Sequence, residues 1–194
     1  MKGSLVLLVT FSTFCCNGLS TDKSLQQIVL SAIIEEVAIP LPPPPPARGS
    51  FNNQTLSQKK IDSIKSIKLN VGLYPLSIKY EYPISIGENY PSDFFPLIKE
   101  IPFQDSRELP RIDMEKFSRH NVELVTWDGK SEMGNFDVLI KISNVIWSQD
   151  KTRAAAIAIR KLGKKDGTTY LFLFKKISPR DEIIIYRKYV LKKA

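Results

Sequence analysis

The clearest hydrophobic periodicity in the chain lies in residues 22–37. Apolar residues recur there at the i, i+3, i+4, i+7 and i+8 spacing of a single helical face, at Leu25, Ile28, Val29, Ala32, Ile33 and Val37. The pattern predicts an amphipathic helix whose apolar stripe packs against the protein's own sheet. Binding of the stripe to a separate partner is the alternative.

Strict alternation of apolar and polar positions marks the strands. Ile67, Leu69, Val71 and Leu73 alternate with polar or small residues, which is the period of a half-buried strand. The last third of the chain carries strand patterns separated by turn residues, at 123–127, 138–147, 153–162, 168–177 and 182–190. Because consecutive strands joined by short loops pair as antiparallel neighbours, these patterns predict a meander.

Together the patterns predict an α+β fold, with the N-terminal helix packed on an antiparallel sheet of about five strands. A cystatin-like or NTF2-like architecture matches this order of elements. In the strand at 153–162, the small side chains of Ala154, Ala156 and Ala158 share one face. A helix can approach closely there, and residues 22–37 are the candidate.

Proline divides the chain into segments. Pro40 and the run of five prolines at 42–46 end the first helix and predict a stiff polyproline II spacer in a linker at 40–56. Docking of this rod on an aromatic groove is the alternative. A short helix is expected at 57–63, followed between 75 and 111 by irregular chain with one helical turn near 92–99. Six aromatic residues in this stretch predict either a binding cleft or contacts that hold the loops on the core: Tyr80, Tyr82, Tyr90, Phe94, Phe95 and Phe103.

The first eighteen residues differ from the rest. Lys2 precedes an apolar run at 5–14 and then small residues, the order typical of a secretory signal peptide. The run is too short to span a bilayer, which takes about 20 apolar residues; a buried N-terminal strand or helix is the alternative. The predicted organisation is therefore a signal peptide at 1–18, an amphipathic helix at 19–39, a proline-rich linker at 40–56 and one α+β domain at 57–194.

Both cysteines of the chain, Cys15 and Cys16, lie at the end of the apolar run. Their placement predicts a lipoprotein signal, in which one of them becomes the lipidated first residue of the mature chain. Cleavage after Gly18 or Ser20 without lipidation satisfies the requirement for a small residue equally well. In either case no disulfide is expected within the folded domain.

Composition adds a strong asymmetry of charge. A chain of 194 residues, 43% hydrophobic and 25% charged, is typical of one globular domain. The net charge of +8 is concentrated at one end, because residues 151–194 contain 13 Lys and Arg but only 3 Asp and Glu. This third of the chain predicts a basic surface that attracts anionic lipid, polysaccharide or nucleic acid. Solubility and protection of sheet edges are the alternative reasons for so many lysines.

Several stretches resemble small exported proteins of Bacteroidota, many of them lipoproteins and largely without assigned function. The resemblance is carried by RIDMEKF at 111–117, VELV at 122–125, ISNVIWSQDKTRA at 142–154 and GTTYLFLFKK at 167–176. In that group a strand–turn–strand unit precedes a glycine-rich turn, a long aromatic strand and a final strand. The resemblance covers about residues 110–190 and implies a fold but no activity. Cysteines that often precede the aromatic strand are absent from LGKKDG at 162–167, so it implies no disulfide or metal role here.

The sequence is poor in catalytic residues. His120 is the sole histidine, in a polar stretch where an incidental surface position is expected, and no Gly-x-Ser-x-Gly motif accompanies it. Ser57-Gln58-Lys59-Lys60 matches the Ser-x-x-Lys motif of penicillin-recognising enzymes, but the companion motifs of those enzymes are missing. Without clustered histidine and cysteine, no zinc or iron site is predicted. A calcium site made only of carboxylates is the alternative that stays open, although the chain has no Asp-x-Asp-x-Asp-Gly loop, and the prediction is no metal and no cofactor.

Two activities need only residues that this chain has. Glycoside hydrolysis requires a pair of carboxylates, and the loop candidates are Asp93, Asp105, Glu108, Asp113 and Asp128. Nucleic-acid binding would combine the basic final third with aromatic stacking platforms, for which the candidates are Tyr170, Phe172, Phe174, Tyr186 and Tyr189. Aromatics on a half-buried strand are expected in the core instead, and export argues against a nucleic-acid partner.

We therefore predict an exported cell-envelope protein with a non-catalytic binding or structural role. It is either a membrane-anchored lipoprotein or a periplasmic or secreted protein, with envelope proteins or anionic polymers as partners. The alternative function is a carboxylate-based hydrolase that acts on an envelope polymer.

Overall fold

A computed structural model of the chain describes residues 18–40, 57–110, 112–113, 120–125, 135–162, 167–177 and 182–193. The fold is mixed α/β, with few helices and an open sheet of seven strands. The helices are α1 (Gly18–Val37), α2 (Gln58–Lys65) and α3 (Phe95–Glu100), and two 3₁₀ turns, Ser92–Phe94 and Ile101–Phe103, flank α3. The strands are β1 (Asn70–Leu73), β2 (Asn121–Leu124), β3 (Val138–Ile142), β4 (Ile146–Trp147), β5 (Arg153–Lys161), β6 (Gly167–Ile177) and β7 (Glu182–Lys193).

The sheet is larger and less uniform than the antiparallel sheet of about five strands that the sequence predicts. Its order is β2-β1-β3-β5-β6-β7, with β4 paired beside β3 on β5. The meander β5-β6-β7 is antiparallel, but β1 pairs in parallel with both β2 and β3. Parallel pairing needs connections of about a dozen residues or more, and the long segments that lead from β1 to β2 and from β2 to β3 supply them. The short loops of the last third predicted the antiparallel pairing of β5, β6 and β7, but they do not predict the parallel pairing of β1.

The predicted strand at 138–147 is interrupted. It divides into β3 and β4 because the Ser143 side chain enters the sheet: the Ile157 amide donates to Ser143 Oγ at 2.9 Å, and the Ser143 amide donates to the Ile157 carbonyl at 2.8 Å. At this point the Ser143 hydroxyl oxygen accepts the hydrogen bond from the β5 amide that a backbone carbonyl would accept in a regular pair of strands. The chain bends between the two strands and both still pair with β5.

One face of the sheet is covered by α1, which contacts β3, β5 and β7. The core on this side joins Val29, Leu30, Ile33, Ile34 and Val37 of the helix to the sheet. The three alanines of β5 that share this face are fully buried within it: Ala154, Ala156 and Ala158. Ile28, which the periodicity places on the buried stripe, is instead 43% exposed. Leu30 and Ile34, which lie one helical turn apart beside the predicted stripe, are buried. The buried face of α1 is therefore rotated toward these two residues and away from Ile28.

The opposite face is covered by the proline-rich segment between β1 and β2. Its second core joins Phe94, Leu97, Ile98 and Ile101 to the side chains of β4, β5 and β6 that point away from α1. Tyr80 and Tyr90 pack against the edge of this core. The protein therefore has three layers, in which short helical turns take the place of a second long helix because proline recurs too often for one.

Several predicted features lie outside the described residues: the signal peptide up to residue 17, with Cys15 and Cys16, and the proline run at 42–46 with most of the linker. No helix in the described ranges combines the length and apolarity that crossing a bilayer requires.

Candidate functional site

A small pocket lies where the ends of β5, β6 and β7 meet the loop that follows β1. We call it the basic pocket; its volume is about 280 Å³, and it is lined by Lys79, Tyr80, Glu81, Tyr82, Ile159, Lys161, Gly167, Thr169 and Lys192. Three lysines and one glutamate are therefore among the described residues that line it. It lies on the face of the sheet opposite α1.

Strand register brings the sheet residues of the basic pocket together. Ile159 pairs with Thr169 and Lys161 pairs with Gly167 across β5 and β6, while Thr169 pairs with Lys192 across β6 and β7. Directly paired residues in a sheet have side chains on the same face. Ile159, Thr169 and Lys192 therefore form a row across three strands. The register of β6 with β7 shifts between Thr169 and Tyr170, which is where β7 accommodates an extra residue.

The loop at residues 79–82 forms the remaining wall and is held by the backbone. The Ile78 amide donates to the Ile142 carbonyl at 2.9 Å, and the Ser77 amide donates to the Arg107 carbonyl at 2.7 Å. Lys79, the first loop residue in the pocket, pairs with Asp105 at an Nζ–Oδ1 distance of 3.4 Å. These contacts hold the start of the loop on the sheet, so that the side chains after it have a defined position.

Two tyrosines give the basic pocket an aromatic wall. The rings of Tyr80 and Tyr82 meet edge to face, with centroids 5.7 Å apart and planes at 66°. Tyr82 remains 65% exposed, and the Lys192 ammonium lies 6.0 Å from its ring centroid. Burial, together with Tyr82 and Tyr90 nearby, raises the pKa of Tyr80 above 10.0. The Tyr80 hydroxyl therefore keeps its proton at neutral pH and can donate a hydrogen bond.

A second, larger cleft lies beside β2. We call it the acidic cleft; its volume is about 990 Å³, and it is lined by Pro75, Leu76, Glu108, Leu109, Pro110, Ile112, Asp113, Val122, Glu123 and Leu124. It brings together Glu108 and Asp113, two of the carboxylates that the sequence offers for hydrolysis, and adds Glu123. All three carboxylate residues are exposed. The other lining residues are apolar.

The other candidate carboxylates lie elsewhere. Asp93 forms ion pairs with Lys175 at 3.4 Å and with Arg153 at 3.7 Å, and so ties the first 3₁₀ turn to β5 and β6. Asp105 pairs with Lys79, as described above, and Asp128 lies outside the described residues. Of the four candidates that the structure describes, Glu108 and Asp113 are the two that line the acidic cleft.

His120 is not the surface residue that the sequence predicts. It is 2% exposed, next to the start of β2, with Glu35 of α1 beside it. Its Nδ1 accepts a hydrogen bond from the Leu69 amide at 3.4 Å, and its Nε2 lies 3.9 Å from Glu35 Oε2. A neutral ring that accepts at Nδ1 carries its proton on Nε2, toward Glu35. Both nitrogens thus face neighbours in the fold, and the ring joins the helix to the sheet.

The aromatics proposed as nucleic-acid platforms are engaged in the fold. Phe172 and Phe174 are buried under α1, where Phe172 also packs against the partly buried Tyr170. On the other face, Tyr186 stacks on Phe94 with centroids 5.8 Å apart, and the Tyr189 hydroxyl donates to the Asn89 carbonyl at 2.9 Å. None of these five rings lines the basic pocket.

Within the described part of the chain, no group of three or more His, Cys, Asp and Glu side chains is arranged to hold a metal ion. Comparison of the chain with protein-family models, curated proteins and solved structures finds no match. The basic pocket and the acidic cleft are therefore the features of the described structure that bear on function.

Sequence reasoning did not find the basic pocket as a unit. Its lysines come from three separate stretches, around residues 79, 161 and 192, and no spacing in the chain connects them. The two signals available were the excess of lysine after residue 150 and the pair of tyrosines at 80 and 82. Neither signal indicates that the loop and the strand ends meet.

Proposed function

We propose that this protein is an exported cell-envelope protein that binds anionic polymers through the basic pocket and has no catalytic activity. The observation that carries the proposal is the convergence of Lys79, Lys161 and Lys192 on one pocket with an exposed tyrosine. A carboxylate or phosphate group bound in this pocket would be attracted by the positive charges of these lysines.

The charge distribution of the whole chain supports the same proposal. The three strands that end at the pocket belong to the basic last third of the sequence, so the surrounding field attracts polyanions as well. Such attraction raises the rate of encounter and weakens with added salt. Binding to an anionic polymer is therefore expected to depend on ionic strength.

An envelope location is supported by the N-terminal sequence. The pattern of residues 1–18, the position of Cys15 and Cys16, and the resemblance to small exported proteins of Bacteroidota all favour export, as a lipoprotein or as a periplasmic or secreted protein. Envelope proteins are the other class of partner that this location favours.

A helix packed across a long antiparallel meander supports a cystatin-like or NTF2-like architecture, which stays a prediction.

The binding proposal is tested with polygalacturonate as the polyanion and dextran as the neutral control. We expect salt-sensitive binding to the first and none to the second. A triple variant, Lys79→Gln, Lys161→Gln and Lys192→Gln, should bind polygalacturonate about tenfold more weakly, or by about 1.4 kcal/mol. The matched control changes Lys59, Lys68 and Lys99, three exposed lysines outside the pocket, to Gln. An equal loss in both triple variants would show that total charge is responsible and would contradict the pocket.

The hydrolase alternative is favoured by one observation, the presence of Glu108 and Asp113 in the acidic cleft. A general acid of this class needs an apolar environment that keeps it protonated, and both side chains are exposed. Release of reducing ends from an envelope polysaccharide, abolished by Glu108→Gln or Asp113→Asn, would establish the hydrolase and overturn the non-catalytic proposal. We expect no release above the buffer control.

A further inference from the structure

The basic pocket contains features that a binding site for simple polyanions does not need. Tyr82 is 65% exposed, yet its edge-to-face contact with Tyr80 holds the ring in place. An aromatic ring kept in water forgoes the stabilisation that burial would give it. A fixed and open ring beside ammonium groups is therefore suited to the flat apolar face of a ligand.

The polar groups of the pocket are also mixed in kind. Lys161 and Lys192 offer donors and positive charge, Thr169 adds a hydroxyl on the buried floor, and Glu81 is an acceptor with negative charge. A polyphosphate presents only acceptors, so that Glu81 would repel it. A ligand with both hydroxyl donors and an anionic group satisfies the two kinds of residue together.

Distances inside the pocket limit the size of the ligand. The volume of about 280 Å³ lies just below the range of roughly 300–1,000 Å³ for drug-sized ligands. The Lys192 ammonium lies over the Tyr82 ring, 6.0 Å from its centroid, so a ligand ring bound against Tyr82 reaches this ammonium when the anionic group is attached directly to that ring. In a nucleotide the phosphate is separated from the base by the sugar. In a sugar acid the carboxylate is attached to the pyranose ring itself.

We propose that the basic pocket binds a sugar acid, with the pyranose ring on Tyr82, the carboxylate at Lys161 and Lys192, and a ring hydroxyl donating to Glu81. The proposal rests on the proposed function and specifies its ligand. An acidic polysaccharide would then bind through one sugar unit at the pocket, with neighbouring units attracted by the basic surface around it.

The test uses trigalacturonate as the probe, its methyl ester as the uncharged analogue, and inorganic polyphosphate as the anion without a ring. Titration calorimetry is carried out at one fixed ionic strength. We expect trigalacturonate to bind more tightly than polyphosphate per charge, and the methyl ester to bind at least about tenfold more weakly. Tyr82→Ala should weaken trigalacturonate binding about tenfold and leave polyphosphate binding unchanged, while Tyr82→Phe retains both. Because Tyr82 is exposed, neither substitution is expected to change the free energy of unfolding by more than about 0.5 kcal/mol.

The outcomes separate this proposal from the proposed function. If both anions bind equally per charge and Tyr82→Ala changes neither, the sugar-acid proposal is wrong and the general polyanion function stands. If neither anion binds, or if the lysine triple variant binds both as well as the native protein does, the proposed function fails as well. Tighter binding of single-stranded DNA than of trigalacturonate would replace the sugar acid with a nucleic acid.

Discussion

The ammonium group of Lys188 on edge strand β7 forms an ion pair with the carboxylate of Glu36 on α1, and joins residues 152 positions apart in the chain. The two side chains are 31% and 40% exposed, so water screens the attraction. Ion pairs at such positions typically contribute about 0–1 kcal/mol to stability. The same helix buries Ile33 completely against the sheet. Apolar contacts should therefore hold α1 in place more strongly than this ion pair.

Ile33→Ala is predicted to lower the free energy of unfolding by about 2–5 kcal/mol, because it leaves a cavity in the core. Glu36→Gln is predicted to lower it by at most about 1 kcal/mol. Urea unfolding of the two variants and the native protein measures both effects. A loss in Glu36→Gln as large as that in Ile33→Ala would mean that the charge, and not the apolar stripe, holds the helix.

Gly72 in β1 is predicted to be intolerant of any side chain. A Cβ at this position would lie 2.6 Å from Cδ2 of Phe136 and 3.0 Å from Cδ1 of Leu139. Gly72→Ala should therefore lower the free energy of unfolding by about 1–3 kcal/mol. In a Phe136→Ala background its cost should fall, which a double-mutant cycle measures. Gly87→Ala is the control, since its Cβ would meet nothing within 4 Å; a similar loss at both glycines would contradict the steric explanation.

Asp150, in the turn between β4 and β5, is predicted to have a pKa well below the ordinary value for an aspartate. Ser148 Oγ and Thr152 Oγ1 donate to its carboxylate at 2.5 and 2.8 Å, and the Thr152 amide donates at 3.1 Å. These hydrogen bonds, Ser148 first, lower the pKa of Asp150 from 3.8 to about 2. Since the folded-state pKa is the lower one, the stabilisation is fully present above pH 3.8 and is lost as the pH falls toward 2.

The carboxyl carbon of Asp150, followed by NMR against pH, checks this prediction. Ser148→Ala should raise the pKa of Asp150 toward 3.8, because it removes the strongest hydrogen bond. Asp150→Asn should remove the corresponding part of the pH dependence of unfolding in the same window. A native Asp150 that already titrates near 3.8 would show that the turn does not form these hydrogen bonds in solution.

Processing of the N-terminus is predicted to produce a lipidated chain. Intact mass and detergent partitioning of the protein from its native cell should show acylation and loss of the first fourteen or fifteen residues, before Cys15 or Cys16. Replacing both cysteines with serine should abolish the added mass and the partitioning. An unlipidated native chain that starts near Leu19 or Thr21 would instead establish ordinary cleavage and a freely released protein.

Local pattern was most informative where each strand pairs with its neighbour in sequence. The patterns at 153–162, 168–177 and 182–190 match β5, β6 and β7 closely, because strands covered on both faces have near-continuous apolar runs that turn residues interrupt. Ile28 shows the limit of this reasoning in a helix. Its spacing fits the apolar stripe, yet it is 43% exposed, since the angle at which α1 lies on the sheet decides which side of a broad stripe is covered.

His120 shows a different limit. Its sequence neighbours are polar, and nothing in them indicates that Glu35 lies 3.9 Å away or that the Leu69 amide donates to its ring. Burial of a polar side chain depends on partners distant in sequence. The parallel pairing of β1 with β2 and β3 is hidden for the same reason, because the paired residues are far apart in the sequence.

The sequence by itself determined the strand-rich last third, the concentration of positive charge there and the proline-rich interruption before it, because propensity, periodicity and charge are local properties. Tertiary structure alone decided that Lys79, Lys161 and Lys192 face one pocket with Tyr82, and that Glu108 and Asp113 share a different cleft. Such convergence depends on strand register and on where a long loop returns to the sheet. Both are set by the sum of many distant contacts, which no stretch of sequence contains.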